Sequence, residues 1–586
     1  MPRAQPHAVS DNMAAGALVG SGALWLMLWA AAVLTSRLSG YPAPQASLTS
    51  PIEAFVHAGN PSLAWGQPVG PALLYWAITL AILAIGLSAS LGIWWLTAEQ
   101  ARRWGLDPAR VSGVASRRDV ARVAGRRRLL KRADGLRPSV PRPDAADLGY
   151  QLGRSRGLDC YCSVEDSLIV LGPPRSGKGL HLVIPTILDA PGAVITTSTR
   201  PDNLTATLRA RAAIGPVAVF DPQRLAPGIP SATCWSPIRG CENPQTALIR
   251  AKALTTGAAS GTTDANFWQA SAEQAVRCLL HAAALAGRTC TDLYRWSLSA
   301  VQAREAVIIL SAHPNAAPSW HQALESIVTA DQRQRDSVWA MVSIAFAALA
   351  DPKVLAAVSP AEGEEFDPET FLRSKGTVYL LGTSTGAAAT AGLVGAFVED
   401  VIEAARRIAA ASPAARLDPP LSLILDEAAN YPLPSLTSLM SEGGGTGIST
   451  LVVLQSLAQA RAVWGEHAAS AVWDAAIVKI VLGGGSNARD LEDLSKIIGQ
   501  RAEAQRSTSV GADGRRSTSL STSQVPVMEP SRLRTLPFGT AILLLRSARP
   551  IVLSLGRWVD RKDSAALVTA RDELEKVIQH AHAQTR

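Results

Sequence analysis

The stretch LIVLGPPRSGKGLHLVIPT, residues 168–186, decides the fold. It opens with an apolar run typical of a buried strand and closes with a run typical of a helix. Between them lie the residues of a turn, Gly172, Pro173, Pro174, Arg175, Ser176, Gly177, Lys178, Gly179 and Leu180. Glycines let backbone N–H groups face a phosphate, the helix start adds its positive dipole end, and the lysine reaches the outer phosphates. A strand, this turn and a helix together predict a phosphate-binding loop, or P-loop, that holds ATP through these residues.

One position departs from the usual loop. Gly179 follows Lys178, where such loops normally have Ser or Thr. The hydroxyl of that residue usually holds the Mg²⁺ ion of the nucleotide, and glycine cannot supply it. We therefore expect Mg²⁺ to depend more strongly on a carboxylate elsewhere in the chain.

A second motif, LSLILDEAANYPLP at residues 421–434, supplies such carboxylates. An apolar strand delivers Asp426 and Glu427 at its carboxyl end, which is the Walker B arrangement. Asp426 is the predicted Mg²⁺ ligand, acting through bound water, and Glu427 the predicted general base for the attacking water. The alternative is that the pair caps the next helix.

A third apolar strand, ISTLVVLQS at residues 448–456, brings a polar amide to its end. Its position resembles the strand end at which RecA-like motors sense the γ-phosphate. Gln455 is therefore a candidate sensor that acts with Lys178 and Glu427, although it could also cap the following helix.

Further strands are predicted near residues 193–197, 217–221, 377–382 and 476–483, with a helix over 387–410. This alternation predicts a doubly wound, mainly parallel α/β nucleotide-binding domain, assigned to residues 146–265 and 374–560. Residues 266–373 show helical periodicity and predict an inserted all-α domain. We expect its Trp268, Leu279, Trp339 and Phe346 to form a core and not a DNA-stacking surface.

The N-terminal region carries two uncharged apolar runs, each exceeding the roughly 20 residues that span a bilayer. They predict transmembrane helices at 13–36 and 71–96, after a cytoplasmic tail (1–12) and around an extracytoplasmic loop (37–70). A cleaved signal peptide is a weaker alternative for the first run, since export would separate the nucleotide motif from ATP.

The arginine-rich residues 97–145 form a predicted basic juxtamembrane linker, which places both termini in the cytoplasm of a two-pass plasma-membrane protein. The formal net charge of +8 suits an anionic partner. For the basic run, docking to anionic lipid is favoured over a direct DNA contact. The six cysteines form no CxxC pair and are expected to be reduced thiols.

Two features mark the C-terminal part. The Ser/Thr-rich tract RAEAQRSTSVGADGRRSTSLSTSQVP is compatible with a disordered linker or with an exposed hairpin. AILLLRSARPIVLSL predicts a further hairpin, and residues 561–586 a charged C-terminal helix. From the length that follows this hairpin we expect no added winged-helix domain.

Together, the two apolar runs, GPPRSGKG followed by VIPTIL, the helical insertion and LDEAAN resemble the type IV coupling proteins, the TraG/TraD-like ATPases of conjugative DNA transfer. The segments STRPDNL and WSPIRGC resemble those of actinobacterial members. The resemblance implies an ATP- and Mg²⁺-dependent homo-hexamer that brings DNA with its relaxase complex to a type IV secretion channel. It also implies an arginine supplied across the subunit interface, for which Arg489 and Arg501 are candidates.

Three other functions stay open. An FtsK-like DNA translocase would be expected to carry a C-terminal DNA-reading domain, and a type VII secretion ATPase more than one P-loop. A membrane docking platform that binds nucleotide without hydrolysing it would explain Gly179 as a loss of function. An ABC transporter ATPase is disfavoured because the chain has no LSGGQ-like signature before Asp426.

Overall fold

The computed structural model describes residues 8–45, 47, 49–105, 107–221, 223–229, 234–256, 265–361, 363–382, 384–510 and 516–585. The chain forms two compact units, Met1–Arg110 and Val111–Arg586. Each unit has its own buried core.

The N-terminal unit is helical, with α-helices Ala8–Leu38, Ser50–Val56 and Ala72–Gly105 and 3₁₀ turns Pro61–Leu63 and Pro108–Arg110. Among the described residues, one helix is long and apolar enough to cross a bilayer, by length and composition: Ala72–Ala89. It lies in the predicted span 71–96. The apolar segment Leu24–Leu38, in the predicted span 13–36, is shorter than that criterion requires. The structure therefore supports one of the two expected spanning helices.

The second unit is built on an eleven-stranded sheet. Its strands are β1 (Gly149–Ser155), β2 (Leu158–Ser163), β3 (Leu168–Leu171), β4 (Val194–Ser198), β5 (Val217–Phe220), β6 (Thr377–Leu381), β7 (Leu421–Leu425), β8 (Ile448–Leu454), β9 (Val478–Leu482), β12 (Thr540–Leu545) and β13 (Ile551–Ser554); β10 (Gln500–Val510) and β11 (Arg516–Pro526) form a separate two-stranded sheet. The order is β2-β1-β13-β12-β9-β3-β8-β7-β4-β6-β5.

The sheet has a parallel part and an antiparallel part. The strands from β9 to β5 in that order are parallel, whereas β12, β13, β1 and β2 pair antiparallel. Nearly all residues of the parallel strands are buried, as expected where helices cover both faces of such a sheet. This mixed α/β fold with a large, mostly parallel sheet confirms the α/β part of the predicted fold class.

The described part of the second unit also contains α-helices. They are Arg117–Val123, Arg126–Leu130, Ala133–Leu136, Ala145–Leu148, Ile184–Asp189, Asp202–Ala212, Pro244–Thr255, Ala265–Leu285, Cys290–Ser297, Arg304–Ala312, Trp320–Val328, Gln332–Ala345, Pro352–Ala357, Pro368–Arg373, Ser384–Ala410, Leu436–Ser438, Leu457–Ala475, Ala488–Ile498, Pro530–Arg534 and Ser564–Thr585. The last of these lies in the predicted C-terminal helix.

The arginine-rich region differs from a simple linker. From Val111 onward it belongs to the second unit, and Val120, Leu129 and Leu136 pack into the same core as the sheet. Its arginines also make ion pairs within the fold: Arg137 with Asp418, and Arg132 with Glu165. The apolar positions between the arginines explain this packing, because they alternate with the charges and leave an apolar face for the sheet.

Residues 265–373, between β5 and β6, hold the helices of the expected insertion. Leu279 and Phe346 are fully buried and Trp339 is 5% exposed, as expected of a core, while Trp268 is half-buried. We refer to residues 265–373 as the helical segment.

The Ser/Thr-rich tract forms a hairpin. β10 and β11 pair antiparallel from Gln500 with Pro526 to Val510 with Arg516, and the turn between them lies outside the described residues. The hairpin is therefore the alternative that the structure supports. The second predicted hairpin is present as β12 and β13, which extend the large sheet beyond β9.

Candidate nucleotide-binding site

Three neighbouring strands bring the sequence motifs together. β8 lies between β3 and β7, and all three run parallel. Their carboxyl ends therefore share one edge of the sheet, the place where open α/β folds bind ligands. The P-loop follows β3, Asp426 and Glu427 follow β7, and Gln455 follows β8.

The P-loop requires its glycines for two different reasons. A Cβ atom built on Gly172 would lie 2.5 Å from Ser176 Oγ and 2.8 Å from Leu482 Cδ1, so the turn closes too tightly for a side chain. Gly177 has a φ of +89°, which favours glycine. Within the described residues, the buried Ser176 Oγ has no hydrogen-bond partner. A polar atom of this kind is suited to a ligand that enters the loop.

Lys178 is buried at the start of the helical run Gly179–Asp189. Its Nζ donates a hydrogen bond to Gly172 O over 2.9 Å and lies 3.4 Å from Glu427 Oε1. The ammonium group is thus held over the loop, between a backbone carbonyl and a carboxylate. A phosphate that enters the loop would meet this positive charge directly.

Glu427 is held in an uncommon backbone conformation. Its φ and ψ are 53° and 46°, in the left-handed region, which a residue other than glycine rarely occupies and which is often found at functional sites. Its Oε2 accepts a hydrogen bond of 2.7 Å from Gln455 Nε2. Together with the Lys178 contact, this fixes the carboxylate between the P-loop and the end of β8. The predicted catalytic residues Lys178, Glu427 and Gln455 therefore form one connected cluster.

Asp426 lies beside this cluster and makes separate contacts. Its backbone carbonyl accepts a hydrogen bond of 2.8 Å from Thr197 Oγ1, at the end of β4. Burial raises the pKa of the Asp426 carboxyl to about 6, and the neighbouring Glu427 carboxylate adds to the rise. A buried carboxylate beside a second one is the kind of group that a divalent cation stabilises.

Asn203, which the motifs do not predict, also belongs to this site. Its Nδ2 donates a hydrogen bond of 3.2 Å to Asp426 Oδ2, and its side chain is buried. Asn203 lies near the start of the helix that follows β4, and β4 is the strand next to β7. The strand order would have pointed to it, because the loop after β4 opens onto the same edge as Asp426.

The two candidate arginines lie elsewhere. Arg489 is largely exposed and pairs with Glu466 over 2.9 Å. Arg501 is mostly buried and donates a hydrogen bond of 3.0 Å to Ser112 Oγ. Within the described part of the chain, no hydrogen bond or ion pair joins either of them to Lys178, Glu427 or Gln455.

A cavity of about 460 Å³ lies on the β9 side of the P-loop. Its walls include Gly172, Pro173, Gln455, Asn487 and Asp490. The volume lies in the range of small-molecule sites in proteins, roughly 300–1,000 Å³. The P-loop thus borders open space as well as the Lys178 cluster.

Comparison with known proteins adds a family match. Residues 420–538 match the family model described as the TraM recognition site of TraD and TraG. This segment begins just before β7 and ends after Pro530–Arg534, so it contains Asp426, Glu427 and Gln455. No curated protein sequence matches the chain at a significant level.

Solved structures of the plasmid coupling protein TrwB share the fold. The unbound monoclinic form of TrwBdeltaN70 has a TM-score of 0.53 at 17% identity, and the match covers 74% of this chain and 92% of that chain. TrwB with the non-hydrolysable ATP analogue ADPNP gives the same values. TrwB with ADP and Mg²⁺ has a TM-score of 0.51 at 18% identity, covering 74% of this chain and 93% of that chain.

The sheet and the loop at its carboxyl edge thus define the class of protein, one with an α/β P-loop fold. The family match then confirms, over residues 420–538, the resemblance to TraG/TraD-like type IV coupling proteins that the motifs indicate.

Proposed function

We propose that this chain is a membrane-anchored ATPase that couples a DNA–relaxase complex to a type IV secretion channel and drives conjugative DNA transfer. The observation that carries the proposal is the connected cluster of Lys178, Glu427 and Gln455. Glu427 and Gln455 lie within the segment that matches the TraD and TraG family model, and Lys178 contacts Glu427 from outside it. The TrwB complexes with ADPNP and with ADP and Mg²⁺ support ATP and Mg²⁺ as the ligands.

The residues present fit a magnesium nucleotide. Ser176 Oγ is buried without a partner among the described residues, Gly172 and Gly177 leave no room for side chains, and Lys178 supplies the positive charge. Asp426 supplies a buried carboxylate oxygen for the cation. When bound, Mg²⁺ would neutralise charge on the phosphate oxygens.

Each residue of the cluster then has a separate task. Lys178 binds the outer phosphates and leaves its contact with Glu427 to do so. Glu427 orients the attacking water and accepts its proton. Gln455 holds the Glu427 carboxylate in place and links that position to the end of β8. Movement of Gln455 after hydrolysis would pass to the helix Leu457–Ala475, which begins two residues later.

Membrane anchoring, assembly and partners complete the proposed function. We assign the two-pass anchor to residues 13–36 and 71–96, with the ATPase unit in the cytoplasm; the apolar helix Ala72–Ala89 supports the second span. The basic residues near the membrane suit anionic lipid. A homo-hexamer with DNA in its central channel follows from the resemblance to coupling proteins. An FtsK-like or type VII-like motor is the alternative within the same class.

The test of the proposal is Lys178→Ala in the full chain. Loss of the ammonium group should weaken ATP binding roughly 10- to 100-fold, the size of one lost charged hydrogen-bond contact in a buried site. ATP hydrolysis and mating efficiency should fall to background. Lys496→Ala is the matched control, because Lys496 is exposed on the helix Ala488–Ile498. Undiminished transfer by Lys178→Ala would refute the proposal, and ATP binding without turnover in the wild type would favour the docking platform.

The arginine supplied across the subunit interface is testable separately. Arg489 is the better placed candidate, because its side chain is 65% exposed, compared with 23% for Arg501. If it stabilises charge on the γ-phosphate of a neighbouring subunit, Arg489→Ala should lower hydrolysis by about 1,000-fold and leave ATP affinity unchanged. Arg501→Ala, at the less exposed of the two candidate arginines, is the variant with which Arg489→Ala is compared. Normal hydrolysis by Arg489→Ala under conditions where the hexamer forms would exclude Arg489.

A further inference from the structure

The space beside Gly179 is occupied by the amide of another residue. Where most P-loops have a Ser or Thr after the lysine, a Cβ atom built on Gly179 would have a single atom within 4 Å in the described part of the chain, apart from its chain neighbours and the backbone of its own helix. That atom is Asn203 Oδ1, at 3.7 Å, an ordinary van der Waals distance. The amide oxygen therefore lies close to where the missing hydroxyl would begin.

The orientation of Asn203 follows from its partner. An ionised carboxylate accepts hydrogen bonds but does not donate them, so the group facing Asp426 Oδ2 must be the amide nitrogen. Nδ2 lies 3.2 Å from that oxygen. The same contact turns Oδ1 toward Gly179. Since Asn203 is 3% exposed, its position is set by the fold and not by solvent.

Chemistry makes this oxygen a suitable replacement. Mg²⁺ binds oxygen ligands, and a side-chain amide oxygen is neutral, as is the hydroxyl of Ser or Thr. Asp426 supplies a negative oxygen from the neighbouring strand end. The pair thus offers the neutral and the charged oxygen that a P-loop with Ser or Thr would offer from its lysine-following residue and its Walker B aspartate.

We propose that Asn203 Oδ1 replaces the missing hydroxyl and, with Asp426, holds Mg²⁺ and its water shell at the nucleotide. This inference rests on the proposed nucleotide-binding function. It explains why Gly179 does not indicate a loss of cation binding. The competing role for Asn203 is structural: its Nδ2 would position Asp426, and its oxygen would not bind the cation.

Cation binding in the ADP complex separates the two roles. The measurement is the Mn²⁺ dissociation constant in the complex of the full-length, detergent-solubilised chain with ADP, read from the electron paramagnetic resonance of free Mn²⁺. ADP binding in EDTA is measured beside it and reports whether each variant still folds its P-loop. Asn203→Ala should weaken Mn²⁺ binding roughly tenfold or more. ADP binding in EDTA should stay within twofold of the wild type.

Two further variants make the result decisive. Asn203→Asp keeps an oxygen at the site but loses the donor to Asp426, so it should retain Mn²⁺ binding if the oxygen is the ligand. Adding Gly179→Ser to Asn203→Ala should restore Mn²⁺ binding to within about threefold, whereas Gly179→Ala should not. The proposal is overturned if Asn203→Ala binds Mn²⁺ normally, if Asn203→Asp loses binding as Asn203→Ala does, or if Gly179→Ser fails to restore it.

The proposed function fails in a different way. If the wild type binds ADP neither with Mn²⁺ nor in EDTA, the proposed nucleotide site is refuted, and the proposed role of Asn203 is refuted with it. If the wild type binds ADP and Lys178→Ala does not, any failure of the Asn203 variants concerns the cation ligand alone.

Discussion

The carboxyl edge of the parallel strands and the helical segment differ in the side chains that they bury. At the sheet edge the enclosed groups include the ammonium of Lys178 and the amide of Asn203. In the helical segment they are mostly apolar and include Leu279, Trp339 and Phe346. Burying charged and polar groups costs free energy, whereas burying apolar surface stabilises the fold. The difference indicates that the sheet edge is organised for a ligand and the helical segment for stability.

A residue whose substitution changes both nucleotide chemistry and thermal stability would contradict this distinction. Substitutions at the sheet edge should change nucleotide chemistry and leave thermal stability nearly unchanged. Substitutions in the helical segment should do the reverse. A sheet-edge variant that unfolds the protein, or a helical-segment variant that abolishes ATP binding in a folded protein, would remove the distinction.

The largest effect is expected for Glu427→Gln. The amide keeps the size of the side chain and can still contact Gln455, but it cannot accept a proton from water. We expect hydrolysis to fall by about 100- to 10,000-fold, the usual contribution of a general base. ATP affinity should stay the same or rise, because Lys178 loses its ion-pair partner and is freed for phosphate. Steady-state hydrolysis and equilibrium binding of ATP check the two halves.

Glu442→Gln is the matched control for this change, since Glu442 is exposed and lies in the same matched segment, residues 420–538. It should hydrolyse ATP as the wild type does. Wild-type turnover by Glu427→Gln would remove Glu427 as the base.

The second effect is expected in the helical segment, for Phe346→Ala. Phe346 is fully buried after the end of the helix Gln332–Ala345. Its truncation should lower the free energy of unfolding by about 3–5 kcal/mol, because the lost apolar contacts leave a cavity. Below its lowered melting temperature the variant should bind ATP normally. Thermal unfolding followed by tryptophan fluorescence, together with ATP binding at low temperature, checks both.

Phe267→Ala offers the control, because Phe267 is 58% exposed at the start of the helix Ala265–Leu285. It should shift the melting temperature little. An equal loss of stability in the two variants would show that burial in the helical segment does not decide its stability.

The same contrast explains what could be predicted from sequence. Strands β3, β7 and β8 were predictable because strands buried on both faces are mainly apolar runs, and the polar residues of the site follow directly after them. β1 and β2 were not, because they are antiparallel, β1 contains Gly153, and both strands contain polar residues that are typical of irregular structure. The apolar positions of the arginine-rich region were likewise hidden between charges.

Within the site, the residues in motifs were predictable and Asn203 was not. Lys178, Asp426 and Glu427 have fixed spacing to a strand and a glycine turn, so a linear pattern reveals them. Asn203 reaches Asp426 across 223 positions of sequence, through the order in which β4 and β7 pair. Strand order is a property of the folded sheet, and no local pattern contains it.

The smallest effect is expected for Gln455→Ala. This change removes one hydrogen bond to the Glu427 carboxylate and leaves Lys178 in contact with it. Loss of one hydrogen bond to a charged group should lower hydrolysis roughly tenfold with little change in ATP affinity. Gln334→Ala, on the exposed side of the helical segment, is the matched control and should have no effect. If Gln455→Ala instead lowers the melting temperature and leaves turnover intact, Gln455 is a helix cap. The sheet edge would then contain a residue that serves stability, which is the role that we assign to the helical segment.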